Sequence, residues 1–151
     1  MLSMTIEFMN LVLAALMVGS MFGVSLIMNP AGLDARHYVE LQQQGIRTLN
    51  VAMPRLGAVT ILVTIAAAVA MRGEGLRLGL LVTTAACFVA VGLVTRFLNQ
   101  PINAVVMTWS SDAPPAGWER LRDAWWRWHY LRLATGLAGF CLLVLATLVR
   151  A

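Results

Sequence analysis

Two short stretches of this 151-residue chain set polar side chains at helical spacing inside apolar sequence. In the first, Arg96, Asn99 or Gln100, and Asn103 stand three, four and seven residues apart, which places them on one face of a helix. Polar residues on a membrane helix are costly unless they meet a partner or a cavity, so an arginine with two asparagines at one helix end reads as a polar pocket. The competing reading is an arginine snorkelling to the interface while the asparagines cap the helix end. In the second stretch, Trp125, Trp128 or His129, Arg132 and Gly136 share a face. His129 is suited to accept a proton, since the reference imidazole pKa is about 6.5. Arg132, one turn on, is suited to hold an anionic oxygen of a substrate or intermediate. Trp125 and Trp128 offer the flat wall of an aromatic pocket or, more plainly, an interfacial belt. His37, with Asp34 and Glu40 nearby, together with His129 and Asp123, is the one set that resembles metal ligands. No ligand motif such as H-E-x-x-H supports it, and the expectation is no metal, with His37 an exposed residue of a join.

The elements that must position these residues follow from hydropathy. Apolar residues make up 60% of the chain and charged residues 12%, against about 25% charged in soluble domains. A water-soluble fold of this length has no way to cover so much apolar surface. A transmembrane helix needs about 20 mostly apolar residues, and the runs here predict spans at about 8–28, 52–71, 77–99 and 131–149. The expected architecture is an all-α integral membrane four-helix bundle forming one domain over residues 1–151, with short amphipathic helical segments in the two long joins. The first run carries no basic flank and is longer than a signal core, so it reads as a retained helix.

The joins fix the topology. Arg72-Gly73-Glu74-Gly75-Leu76-Arg77 is a tight hairpin, so the second and third spans are antiparallel neighbours. Four spans place both long joins, 29–50 and 100–128, on one side and both termini with the hairpin on the other. The polar stripes therefore meet at one end of the bundle. Asn29-Pro30-Ala31-Gly32 breaks the first helix, and Asp34 to Asn50 looks helical, with Gln43, Arg47, Asn50 and Pro54 on one face. Arg36, Arg47, Arg120, Arg122 and Arg127 on the long-join side outnumber Arg72, Arg77 and Arg150, so the positive-inside rule favours the long joins in the cytoplasm of what reads as a bacterial inner membrane. The net charge of +4 does not point to nucleic acid, because the arginines are scattered and flank apolar runs. Gly19 and Gly23, with Ala15 on the same face, are expected to pack within the bundle or else to support a homo-oligomer. Cys87 and Cys141 sit in apolar runs and read as small buried hydrophobes, reduced and unliganded.

Asn99-Gln100-Pro101-Ile102-Asn103 closing the third helix, then Trp125-x-x-x-His129-x-x-Arg132 opening the fourth, resembles the anthrone-oxygenase-like family. Asn29-Pro30 after a glycine-containing span and Met53-Pro54 opening the second span fit the same pattern. The resemblance covers nearly the whole chain. It implies a four-helix membrane protein and, from polyketide-pathway members, oxidation of an anthrone to an anthraquinone by dioxygen without an established cofactor. Such chemistry needs a base to remove the methylene proton, donors to steady the oxyanion, and a flat apolar pocket. His129, Arg132 and Asn103 are the residues to which it would assign catalysis, and Arg96, Asn99, Trp125 and Trp128 those to which it would assign the small aromatic or lipophilic substrate. Two other functions fit the same residues: non-enzymatic binding or transport of a small lipophilic molecule, and a structural or assembly role. Coupled transport is disfavoured because the one carboxylate near a span, Glu7, lies at the end away from the pocket.

Overall fold

The computed structural model describes residues 2–30 and 32–149, so Ala31 and Arg150 lie outside the described residues. Four helices, Leu2–Ile27, Ala35–Ala70, Gly75–Val106 and Glu119–Leu148, are each long and apolar enough to cross a membrane. Every element among the described residues is helical. The protein is thus an integral membrane four-helix bundle. The helices lie in the cyclic order first, second, third, fourth, and the fourth closes back on the first.

Each helix outruns its predicted span. The second helix runs unbroken for 36 residues through Pro54. At 1.5 Å per residue it is about 54 Å long, against about 30 Å of hydrocarbon. Its far end is fixed by the 71–74 hairpin, so the excess projects on the side of the long joins. The fourth helix absorbs the tryptophan-rich approach in the same way, starting at Glu119. Polar sequence ended the hydropathy signal without ending the helix. True stops are local. Pro30 biases Asn29 away from helix. Asp34 caps the second helix by accepting from the His37 N–H at 2.9 Å. Gly117, at φ +74°, allows the turn closed by the Trp118 N–H on the Pro115 carbonyl before the fourth helix starts.

The bundle is sorted by size and polarity. Small and polar residues face inward: Ala14, Asn10, Thr60, Thr64, Ala67, Thr84, Gly136 and Gly139. Leu16, Leu62, Leu93 and Phe97 cover the outside, where lipid replaces water. The third and fourth helices approach closely at Gly139, where a Cβ would stand 2.9 Å from both Cys87 Cβ and Phe88 Cε1. Within the interior the Thr64 hydroxyl donates to Asn10 Oδ1 at 2.8 Å.

Two expectations are corrected. Gly19 and Gly23 do not pack within the bundle: a Cβ at either meets nothing within 4 Å, because the first helix turns Ala14, Met17, Val18 and Met21 inward instead. Cys87 is half-buried and Cys141 is exposed on the outer face, so neither is a core residue; both are free thiols. Arg77, at the start of the third helix, is drawn into the bundle. Its guanidinium reaches Glu7 at 2.8 Å, Glu74 at 2.7 Å and the Ala146 carbonyl at 3.0 Å, clamping the first, third and fourth helices at the end opposite the long joins.

Candidate functional site

At the long-join end the third helix changes its winding. Residues Thr95–Asn99 form a π turn, and the Gln100 N–H bonds the Thr95 carbonyl five residues back. Pro101 comes directly after and has no N–H for an ordinary helical bond. One extra residue in the turn rotates the rest of the helix by roughly 100° relative to continuous α-helical winding. The predicted single stripe therefore splits. Arg96 stays on the cavity side, its Nη1 3.5 Å from Gln100 Oε1. Asn99 turns inward, 1% exposed, and donates to the Trp125 carbonyl at 3.1 Å. Asn103 donates to Asn50 Oδ1 at 3.3 Å and accepts from the Trp125 indole N–H at 2.8 Å.

The fourth helix supplies the cation. Arg132 donates to His129 Nδ1 through Nε at 3.2 Å and Nη2 at 2.9 Å, and to Thr95 Oγ1 through Nη1 at 3.4 Å. A guanidinium has no acceptor, so Nδ1 must carry the lone pair. In the neutral ring the proton then sits on Nε2, which lies 2.9 Å from Ser25 Oγ on the first helix. His129 is 0% exposed. It stacks on Trp125 with centroids 5.1 Å apart and meets Trp126 edge-on at 5.2 Å. Among the described residues no carboxylate pairs with Arg132.

Two spaces adjoin this guanidinium. A cavity of about 270 Å³ opens between the helices, walled by apolar residues such as Met21, Met53, Phe88 and Val91, with Arg96, Gln100, Thr95 and Arg132 among its polar groups. A smaller chamber of about 50 Å³ is bounded by Gln42, Asn50, Asn103, Trp125 and Arg132. Val24, Thr95 and Arg132 border both.

The structure thus brings Arg96, Asn99, Asn103, Trp125, His129 and Arg132 to one end of the bundle, in unequal roles. Arg96 and Arg132 border the large cavity. Asn103 and Trp125 border the chamber. Asn99 and His129 border neither, so one molecule in the cavity does not touch both His129 and Arg132 as their spacing suggested. Trp128 lies apart, half-buried, with the Arg127 guanidinium 5.8 Å from its ring centre. The aromatic side chain at the cavity wall is Phe88. His37 sits in the exposed first turn of the second helix, paired with Asp34 at 2.9 Å, and that pairing holds the Asp34 carboxyl below its usual value, chiefly through the His37 backbone N–H. Among the described residues no group of three or more His, Cys, Asp or Glu comes together, so His37, Glu40, Asp123 and His129 do not form one donor set. Ser25, Thr95 and Gln42 escaped the sequence reading. Each is a single polar residue on an apolar or mixed face, with no spacing partner to mark it.

No curated protein and no solved structure gives a significant match to this chain. The sequence model of the family described as anthrone oxygenase matches residues 43–142, which takes in Asn50, the π turn, Asn103, the tryptophans, His129 and Arg132. With two thirds of its length matched, this chain belongs to the anthrone oxygenase family.

Proposed function

We propose that the protein is an oxygenase-like membrane enzyme that binds a planar phenolic molecule from the bilayer and oxidises it with dioxygen. The observation that carries this is Arg132: a guanidinium inside a membrane bundle, fixed by His129 and Thr95, bordering an apolar cavity and lacking a carboxylate partner among the described residues. An unpaired charge so placed is expensive and marks a functional site. The ligand that relieves it is an oxyanion on an apolar body. The cavity, at about 270 Å³, falls just below the range of drug-sized ligand pockets, about 300–1,000 Å³, and so suits a small ligand.

The family's chemistry suits this arrangement. An anthrone methylene is acidic because its carbanion delocalises onto the ring oxygen. Arg132, with Arg96 beside the same cavity, would lower the energy of that oxyanion. The electron-rich carbanion then bonds to dioxygen and takes up a proton to give a hydroperoxide at the former methylene carbon. That hydroperoxide loses its remaining C–H proton and a hydroxide, together as water, to leave the quinone carbonyl. Dioxygen is the oxidant, and the reading calls for no further cofactor. We assign His129 and Ser25 as positioning residues that aim Arg132, because the imidazole lone pair is already taken by the guanidinium. The proton leaves to water, since no carboxylate or imidazole among the described residues borders the cavity. That same lack of a base favours the second reading, passive binding of a lipophilic phenol. Dioxygen uptake on adding an anthrone to the purified protein separates the two. Arg132→Met is expected to lower turnover by about 10²–10³-fold, the cost of losing an oxyanion donor. Unchanged uptake in that variant refutes the assignment, and ligand binding without uptake in the wild type leaves a binding protein.

A further inference from the structure

We propose that the small chamber beside Arg132 is a recognition site for a hydrogen-bond-accepting oxygen carried by the molecule in the large cavity, with Gln42 as its donor. This rests on the reading above, in which an oxygen-bearing planar molecule occupies that cavity.

Gln42 belongs to the part of the second helix that projects beyond the membrane. It is 2% exposed and lines the chamber, yet its Nε2 has no hydrogen-bond partner. Buried amide donors are nearly always paired, so an orphan on a residue that lines an open space points to a missing guest. The chamber's remaining polar wall says what kind of guest. Thr95 Oγ1 already accepts from Arg132, Asn50 Oδ1 from Asn103, and Asn103 Oδ1 from Trp125. The donors are less committed. A guanidinium has five N–H groups, and Arg132 spends them on two neutral acceptors, His129 and Thr95. A wall whose oxygens each already accept a bond, beside a guanidinium with N–H groups to spare and an unpaired amide donor, suits an oxygen acceptor.

Size limits the guest further. About 50 Å³ is the room of one or two waters, which take roughly 30 Å³ each in the liquid, so an oxygen substituent fits and a ring does not. The chamber and the cavity share Val24, Thr95 and Arg132, so a ring system in the cavity can direct a carbonyl or phenolic oxygen at the chamber. Gly45 makes room for the Met28 side chain at the chamber wall. It lines the chamber, and a Cβ there would run into the Met28 side chain, which lines it too. Gln42 is thereby a specificity residue: it selects planar molecules that present an oxygen over hydrocarbons of the same outline.

The test is binding of anthrone and of dihydroanthracene, which has the same ring frame and no oxygen, to the purified full-length protein under anaerobic conditions. Gln42→Met keeps the length and shape of the side chain and removes the amide. It is expected to weaken anthrone binding about tenfold, leave dihydroanthracene binding unchanged and leave the melting temperature unchanged or raised. Equal weakening of both ligands overturns the inference in favour of a shape role for Gln42. No effect on either, with the wild type binding both, overturns it in favour of a chamber that holds water alone and leaves the cavity reading standing. Wild-type protein that binds neither ligand overturns both.

Discussion

Replacing His129 tests whether it is a base or a brace, and the choice of replacement decides whether the result can be read. His129→Ala removes a fully buried ring that stacks on Trp125, meets Trp126 edge-on and receives two N–H groups of Arg132. Truncating a large buried aromatic costs about 3–5 kcal/mol. The Arg132 donors left without an acceptor add about 1–3 kcal/mol. The sum, roughly 4–8 kcal/mol, is comparable to the whole stability of many domains, at about 5–15 kcal/mol. An inactive His129→Ala protein would therefore report on folding.

His129→Gln is the informative variant. It keeps an oxygen to accept from Arg132 and an amide to reach Ser25, and it has no basic ring nitrogen to take up a proton. If His129 braces Arg132, turnover falls by about tenfold or less, as expected for a hydrogen bond weakened by about 1.4 kcal/mol. If His129 is the base, turnover falls by about 10²–10⁴-fold. The pH profile separates the two a second time. With a brace, the rate rises with pH as the bound substrate ionises, and the Gln variant keeps the same profile. With a base, the wild type shows a step where the imidazole loses its proton, and the Gln variant loses it. The assay is dioxygen uptake with an anthrone across the whole pH range in which the protein stays folded, normalised to monodisperse protein. A folded His129→Gln protein with turnover down more than about 10²-fold and the step abolished refutes the positioning role.

Two more outcomes come from the packing and the caps. Gly139→Ala is expected to destabilise the bundle by about 1–3 kcal/mol, the usual cost of overpacking, because the new Cβ would press on Cys87 Cβ and Phe88; Gly19→Ala, with open space around it, is expected to leave the melting temperature unchanged or slightly raised, and equal effects in thermal melts would refute the close approach. The Asp34 carboxyl is held low by His37, so its cap is fully present above the unfolded value of about 3.9 and is lost as pH falls through the lower folded one; amide exchange in the first turn of the second helix is expected to accelerate only in that acid window, and acceleration near neutrality would refute the cap.

The spans were readable because apolar run length is a strong signal in lipid, and the nearness of His129 to Arg132 was readable because three residues is nearly one turn, though their bond to each other was not. Helix ends were not. Hydropathy marks where lipid stops, and the second and fourth helices continue past that point. The shared face of Arg96, Asn99 and Asn103 failed because the 3.6-residue period assumes uniform winding, and the π turn breaks it between Arg96 and Asn103. Trp128 was grouped with Trp125 by spacing, yet only Trp125 has its indole drawn inward, by Asn103. Gln42 carried no signal because its importance lies in a missing partner, and only the packed structure exposes that.

What holds the π turn can be decided from magnitudes. Pro101 explains why an ordinary bond to the turn above is missing, and Pro101→Ala would restore an N–H, about 0.5–1.5 kcal/mol, along with up to about 3 kcal/mol of helix propensity. Reverting to a plain α-helix would rotate everything beyond Asn99. The bonds from Asn99 to the Trp125 carbonyl, from Trp125 to Asn103 and from Asn103 to Asn50 would break, at about 0.5–1.5 kcal/mol each. Ile102 and Val106, both buried, would turn outward at about 1.5–3 kcal/mol each. The tertiary side totals roughly 5–10 kcal/mol against about 2–5 kcal/mol for the local gain, so the contacts keep the turn and the proline merely tolerates it. Pro101→Ala is therefore expected to retain the wild-type tryptophan near-UV dichroism, dioxygen uptake and fold. Adding Asn103→Leu removes two of the three bonds and is expected to shift the dichroism by releasing Trp125. If Pro101→Ala alone alters the tryptophan signal and abolishes uptake, the proline sets the register and the contacts only follow it.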